Sequence, residues 1–143
     1  MSENCAKLRD YFALFDGTAR DWETQVRPVV EALYHDEMMV YSEHSEDKTR
    51  DEMIDFVRRF NNAGGKAKID LIEDTPEGVL YQGRLGTPDG LDVKIHSLGK
   101  FKDGKLFIIE PTNPDVYHTM MSRDYLDKHV VEKECPDCPG MAF

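Results

Sequence analysis

Hydrophobic residues recur at helical spacing through the first sixty positions of the chain. The apolar positions are Leu8, Tyr11, Phe12 and Phe15 in a first segment, Trp22, Val26, Val29, Val30 and Leu33 in a second, and Met53, Phe56, Val57 and Phe60 in a third. Residues three and four apart lie on one face of a helix, so this pattern predicts three amphipathic helices.

Local signals indicate where these helices begin and end. Gly17 follows the first segment and suits a left-handed helix stop. Pro28 lies inside the second segment, so we expect a kink or a restart there, because proline removes a helical donor. Thr49 and Glu52 have the spacing of a capping box, which predicts that the third helix begins at Thr49.

The period changes to strand-like alternation after Gly65. Four apolar-rich runs follow, separated by turn sequences at residues 75–78, 87–90 and 102–105. Asp103-Gly104 is a strong hairpin signal, because its turn requires positive φ. Glycines inside the longest runs suit a bulge or a sharp bend. The short run Met38–Tyr41 is also β-prone.

This order of elements predicts an α+β fold. We expect three N-terminal helices packed in a strongly bent four-stranded antiparallel meander, plus one short extra strand, with a cone shape and a pocket. We expect the domain to span residues 1–114. Residues 115–143 would form a C-terminal extension with a short helix and a Cys/Pro-rich tail.

Composition narrows the classes of partner. The chain has 143 residues, with 18 Lys plus Arg against 28 Asp plus Glu, and a formal net charge of −10. An acidic surface repels phosphate backbones and anionic lipid, so we expect neither nucleic-acid nor membrane partners. No run approaches the roughly 18 apolar residues of a membrane span. These features favour a cytoplasmic protein.

The cysteines do not predict a metal site. Three cysteines occur, which does not suit the paired framework of a secreted protein. Cys135 and Cys138 have redox or half-zinc-site spacing, but no second such pair is present. We expect an inert or loosely ordered tail; the alternative is a redox-labile pair, or one that takes a metal with His118 or His129. No metal and no cofactor is expected elsewhere.

Three segments, in this order, resemble a known family. They are Tyr11–Phe15 with Gly17 behind it, Tyr34–Val40, and Phe101–Leu106. Over residues 8–112 the chain resembles the SnoaL-like branch of the nuclear transport factor 2-like superfamily. The resemblance implies a cone with a pocket at its open end. Members include polyketide cyclases, ketosteroid isomerases, dehydratases, epoxide hydrolases and purely associating modules.

The resemblance also implies roles by position. Tyr11 takes the place of the tyrosine that stabilises an oxyanion in ketosteroid isomerases, although it equally fits the apolar stripe of its helix. Ser97 takes the place of the protonated aspartate. Ser42 takes the place of the base aspartate, and a serine cannot act as a carboxylate base. Steroid-type isomerisation by the family route is therefore not expected.

Three other residues are candidates for moving a proton. His44 has the strand parity of Ser42, and Glu110 ends an apolar run where burial could raise the pKa of its carboxyl. Strand alternation places Ser97 on the inner face and His96 on the outer face, unless a bulge near Gly99 shifts the register. Each has a plainer alternative: His96 as a surface residue, and Glu110 as the point where the strand meets water.

Two hypotheses about function follow. The first is a cofactor-independent acid–base enzyme, such as a cyclase, isomerase, dehydratase or hydrolase, acting on a small and mostly apolar organic molecule. Its predicted catalytic residues are Tyr11, His44, His96 and Glu110. Its predicted ligand-binding residues are Trp22, Tyr34, Tyr41, Ser42, Phe56, Phe60, Ser97 and Phe101.

The second hypothesis is a non-catalytic binding or dimerisation module. It would associate through the outer face of the sheet, with Leu98 and Phe107, Ile109 or Leu80 in the contact. A homodimer is expected under either hypothesis, because a sheet with apolar residues on both faces needs a cover.

Overall fold

Six strands form one curved mixed sheet, and the helices pack against its inner face. The structure is a computed structural model that describes residues 2–41 and 46–112. The helices are α1 (Glu3–Ala13), α2 (Arg27–Leu33) and α3 (Arg50–Asn62). The strands are β1 (Tyr34–Val40), β2 (Lys48–Thr49), β3 (Lys66–Thr75), β4 (Gly78–Gly86), β5 (Asp92–Lys102) and β6 (Lys105–Pro111).

The strand order is β2-β1-β6-β5-β4-β3. Strands β3 to β6 form the predicted antiparallel meander. Strand β1 pairs in parallel with β6 and antiparallel with β2, so the sheet is mixed. The predicted α+β class and bent sheet are confirmed. The extra strand begins at Tyr34, earlier than the predicted Met38, and the two-residue β2 is an addition to the predicted set.

The residues predicted to begin and end the helices have the predicted conformations, with one change of boundary. α1 ends at Ala13, before the predicted stop, although Gly17 does adopt a left-handed φ of 92°. A single π-helical turn precedes α2, which begins beside Pro28, so the chain restarts there as predicted. The capping box of α3 is present: the Thr49 hydroxyl accepts from the Glu52 amide, and the Glu52 carboxylate accepts from the Thr49 amide.

A close backbone approach accounts for the bend in the sheet. β3 carries a register shift between Ile69 and Leu71, which leaves Asp70 as the extra residue of a bulge. Opposite it lies Gly83, where an added Cβ would come within 2.2 Å of the Lys68 carbonyl oxygen. Only glycine permits this approach. The predicted Asp103-Gly104 turn is also present, since both residues have positive φ, 54° and 74°.

Aromatic side chains fill the space between the helices and the sheet, which we call the cone interior. Its largest fully buried members are Tyr11, Phe15, Tyr34, Phe56, Phe60 and Tyr81. Neighbouring rings are in contact, with the Phe15 and Phe60 centroids 5.5 Å apart. The apolar helix stripes therefore form the core, as their spacing predicts, with the exception of Val29, which is 37% exposed.

Strand alternation divides the sheet residues between two faces. Leu80 and Leu98 are direct cross-strand partners on the outer face. Ile109 pairs with Gly99 and is 1% exposed, so it lies inside. Its predicted place in a contact on the outer face is therefore wrong. Phe107 lies at a register irregularity between β5 and β6. Its ring contacts the imidazole ring of His35 and the ammonium of Lys102.

Residues 2–41 and 46–112 contain no helix that is both long and apolar enough to cross a membrane. The predicted C-terminal extension, with Cys135 and Cys138, lies outside the described residues.

Lys48 gives a test of how this fold tolerates a buried charge. Its side chain is 9% exposed, and its Nζ has no hydrogen-bond partner among the described residues. Lys48→Met keeps the length and removes the buried ammonium, so we expect the free energy of unfolding at neutral pH to rise by about 1 kcal/mol.

The stability gain of Lys48→Met should depend on pH, because burial lowers the pKa of Lys48 from its ordinary 10.5. Between the two pKa values the unfolded chain binds more protons, so wild-type stability rises with pH and the advantage of the variant shrinks. Urea unfolding at several pH values measures this. The exposed Lys94→Met is the control, and a destabilised Lys48→Met would contradict the argument.

Candidate functional site

A pair of tyrosines meets in the cone interior. Tyr11 lies on the inward stripe of α1, and Tyr34 is the first residue of β1, where α2 ends. Their hydroxyl oxygens are 2.7 Å apart and share a hydrogen bond in which either can be the donor. Both residues are at most 1% exposed. The helix stripe and the α2–β1 junction therefore bring two polar groups together in an apolar surrounding.

Both phenols are held in the neutral form. Burial raises the pKa of Tyr11 above its ordinary value, and the neighbouring Tyr34 and Tyr81 raise it further. Burial also raises the pKa of Tyr34, although its hydrogen bond with Tyr11 and the charge of Arg50 act in the opposite direction. A neutral hydroxyl can donate a hydrogen bond as well as accept one.

The sheet wall facing this pair carries two more polar residues. Tyr81 and Ser97 are cross-strand partners on β4 and β5, and both are fully buried. The Tyr81 ring packs on Phe12 with a centroid separation of 5.3 Å. Tyr81 and Ser97 therefore add two hydroxyl-bearing side chains to the buried face of the sheet.

The register of β5 settles which of two neighbours faces inward. The β4–β5 ladder runs without a shift from Val79–Gly99 to Gly86–Asp92, so Gly99 causes no slip. The irregularity between β5 and β6 lies between Lys100 and Phe101, beyond the residues in question. Ser97 therefore faces inward and His96 outward, as simple alternation predicts.

His96 is not brought to the tyrosine pair. On the outer face its Nδ1 makes a hydrogen bond with the Thr112 hydroxyl, and its backbone carbonyl accepts from the Thr112 amide at 2.9 Å. The catalytic position considered for His96 would require the register shift that the ladder lacks.

Glu110 is also on the outer face, so the structure fits the alternative in which the strand meets water there and not the catalytic place in the cone. It pairs across the strands with Leu98, and its carboxylate lies 2.7 Å from the Lys100 Nζ. The cause is alternation from the buried Ile109, which turns the next side chain outward.

The predicted ligand-binding residues separate into two groups. Trp22, Tyr34, Phe56, Phe60 and Ser97 are buried, and Phe101 is half-buried against the core. Tyr41 is 41% exposed and does not line the interior, because it follows the inward Val40 in an extended chain. Ser42 and His44 lie outside the described residues.

Tyr34 was predicted as a lining residue, but its direct contact with Tyr11 was not predicted. The two residues are 23 positions apart, and no local pattern pairs them. The available signal was a tyrosine at the inward position of each element. The burial of Lys48 was also not predicted, because its sequence neighbours are polar.

Concavities on the described surface lie away from this pair. Four of them have volumes of about 190 to 390 Å³, and none of these four is lined by Tyr11, Tyr34 or Ser97. In the described parts of the chain, no group of three or more His, Cys, Asp or Glu residues is placed to hold a metal ion.

Comparison with known proteins gives similarity at the level of fold. No family model matches the sequence, and no curated protein matches it. Among solved structures, a candidate ketosteroid isomerase from Kribbella flavida is 20% identical, with a TM-score of 0.56 over 95% of this chain and 93% of that chain.

Two further structures show the same fold. An NTF2-like protein of unknown function from Burkholderia pseudomallei is 16% identical, with a TM-score of 0.57 over 91% of this chain and 98% of that chain. A candidate SnoaL-like polyketide cyclase from Jannaschia sp. CCS1 is 17% identical, with a TM-score of 0.56 over 76% of this chain and 83% of that chain.

The tyrosine pair should behave as one energetic unit. Tyr11→Phe or Tyr34→Phe leaves a buried hydroxyl without this partner, so we expect each to lower the free energy of unfolding by about 1 to 3 kcal/mol. The double variant removes both hydroxyls and should cost clearly less than the sum of the single changes. Urea unfolding of the four proteins measures the coupling, and additive losses would contradict a direct hydrogen bond between them.

Proposed function

We propose that this chain, whose fold is that of the SnoaL-like and nuclear transport factor 2-like proteins, binds a small, mostly apolar organic molecule in its cone. The tyrosine pair would donate a hydrogen bond to a carbonyl or enolate oxygen of that molecule. The observation that carries the proposal is the 2.7 Å contact between two buried, neutral phenols in a mostly apolar interior.

The chemistry of the pair favours an oxygen that gains negative charge. A hydroxyl that accepts one hydrogen bond is polarised and becomes a better donor in its own right. In a surrounding without water, such a donor stabilises a developing oxyanion more than it would in solvent. Because burial raises the pKa values of both phenols, both keep their protons at neutral pH.

Acid–base turnover would require a second group to take or give a proton. Among the predicted catalytic residues that are described, Tyr11 is inside, whereas His96 and Glu110 are on the outer face. The enzymatic form of the proposal therefore assigns the base to His44, with the pair as oxyanion donor and no cofactor. Cyclisation, isomerisation, dehydration and hydrolysis all fit this arrangement. A cytoplasmic location remains part of the proposal.

Ligand entry would have to rearrange the core. The rings of Phe15, Phe56 and Phe60 fill the interior beside Tyr11. A bound molecule would displace some of this aromatic packing, so binding should alter the near-ultraviolet circular dichroism. The chain also has a single tryptophan, Trp22, which is 9% exposed and offers a second spectroscopic signal.

Matched ligands with and without a carbonyl test the proposal. We expect 1-tetralone to bind at least about tenfold more tightly than tetralin, the same bicycle without the oxygen, which corresponds to about 1.4 kcal/mol. Tyr34→Phe and the Tyr11→Phe/Tyr34→Phe double variant should lose this preference. Tyr41→Phe, which changes an exposed tyrosine, should keep it.

Equal affinity of the wild type for the two ligands, or a preference that survives in the double variant, would overturn the proposal. The double variant guards against loss of folding, because it leaves neither hydroxyl buried alone.

A specific feature of the outer sheet face favours a second function, association with another copy of this chain. Leu80 and Leu98 are adjacent on this face, and both are only half-buried in the single chain. The ion pair of Lys100 and Glu110 lies beside them. An apolar centre with a charged border is typical of a sheet face that a second sheet covers.

Solution mass measures this association. We expect a homodimer at tens of micromolar by light scattering, and a monomer for Leu98→Glu, because a buried unpaired carboxylate is costly. Val29→Glu changes a residue 37% exposed on α2 and should leave the dimer intact. A monomeric wild type would exclude this second function.

A further inference from the structure

A concavity at the start of α3 carries a charge pattern that the proposed function does not use. It has a volume of about 330 Å³ and is lined by Glu46, Asp47, Lys48, Asp51, Glu52, Asp55 and Arg59. None of these residues belongs to the tyrosine pair or to the outer sheet face. Its chemistry can therefore be considered separately.

Two cationic donors in this cavity lack acceptors. The Lys48 Nζ and the Arg59 Nε are both buried, and neither has a hydrogen-bond partner within the described ranges. Lys48 as a whole is 9% exposed. A buried donor without an acceptor is uncommon in folded proteins and calls for a specific explanation. An oxygen acceptor held between the two side chains would supply one for both.

Nearby carboxylates do not satisfy these donors. Glu52 is engaged with Thr49 in the capping box. Asp55 lies 2.5 Å from Arg58 and 3.1 Å from the terminal nitrogen of Arg59, which leaves the Arg59 Nε unsatisfied. Burial lowers the pKa of Lys48 and the charge of Arg59 adds to this effect, whereas the charges of Glu52, Asp47 and Glu46 act in the opposite direction.

The overall charge of the lining argues against a simple anion. Five carboxylates and two cationic side chains line the cavity, so a free anion meets net negative potential. A simple cation would be attracted to Glu46 and Asp51 at the exposed rim but would leave both buried donors without an acceptor. A molecule that carries both charges satisfies both requirements.

We propose that this cavity binds a small zwitterion of the amino-acid class, with its carboxylate between the Lys48 Nζ and the Arg59 Nε and its ammonium at the acidic rim. A charged acceptor makes stronger hydrogen bonds with such donors than a neutral one. The volume is sufficient for a free amino acid, and the two buried donors must be uncovered for its carboxylate to reach them. This site is independent of ligand binding in the cone.

A comparison of whole zwitterions with their anionic and cationic fragments separates the contributions of the two charges to binding. Nuclear magnetic resonance titration at fixed ionic strength measures the affinity of each compound. The amino acids are L-alanine, L-glutamate and 4-aminobutyrate, and the fragments are propionate and isopropylammonium. We expect the best of the three amino acids to bind at least tenfold more tightly than either fragment. Binding should raise the pKa of Lys48, observed through its side-chain carbon resonances, because a carboxylate beside the ammonium stabilises its charged form.

Variants locate the contacts. Lys48→Met and Arg59→Lys should each weaken amino-acid binding at least tenfold; Arg59→Lys keeps the charge but removes the Nε donor. Asp51→Asn should weaken binding of the amino acid but not of propionate. Lys94→Met, on the outer sheet face, is the matched control and should bind as the wild type does.

Several results would overturn the proposal. They are propionate or isopropylammonium binding as tightly as every amino acid, saturable binding that survives both Lys48→Met and Arg59→Lys, or no saturable binding of any amino acid. Because Arg59→Lys retains its ion-pairing charge, it remains informative if Lys48→Met fails to fold. The cone ligand 1-tetralone should bind Lys48→Met unchanged, which distinguishes this site from the cone.

Discussion

The close approach of the Lys68 carbonyl to Gly83 is the constraint on which the rest of the structure depends. No side chain can be accommodated there, and the bulge at Asp70 bends β3 over the glycine. The resulting curvature lets one sheet face surround the helices while the other remains outside. Every later assignment follows from that division: Tyr81 and Ser97 are inside, and Leu80 and Leu98 are outside.

The interior created by this curvature is mostly apolar, and the hydroxyls of Tyr11 and Tyr34 satisfy one another within it. Tyr11 and Tyr34 exchange a hydrogen bond where neither could reach water. Such an arrangement stabilises the fold and keeps both phenols neutral, and the same neutrality is what an oxyanion donor requires. Structural and chemical roles are thus compatible in one pair of residues, and the fold shared with other cone proteins does not by itself choose between them.

Much of the architecture could be predicted because its signals are local. Apolar spacing gave the helices, Thr49 and Glu52 gave the start of α3, and alternation placed Ser97 inward. The parts that could not be predicted depend on distant pairing. The parallel contact of β1 with β6 and the meeting of Tyr11 with Tyr34 join segments that carry no mark of each other. Glu110 was a candidate for the cone because it ends an apolar run, but alternation from the buried Ile109 turns it outward. The burial of Lys48 has no local signal in the sequence, because it depends on packing against α3.

The strand order also affects a different kind of self-association, the pairing of sheets edge to edge. β3 is the longer of the two terminal strands of the sheet among the described residues, so its backbone could serve as a template for additional strands. Its first residues are covered, since Lys66 bridges to Asp16 and the Ala67 amide donates to the Phe15 carbonyl at 2.8 Å. Beyond them the bulge and the charges of Asp70, Glu73 and Asp74 interrupt the template. The protein thereby limits growth of its sheet into a polymer without needing to close it into a barrel.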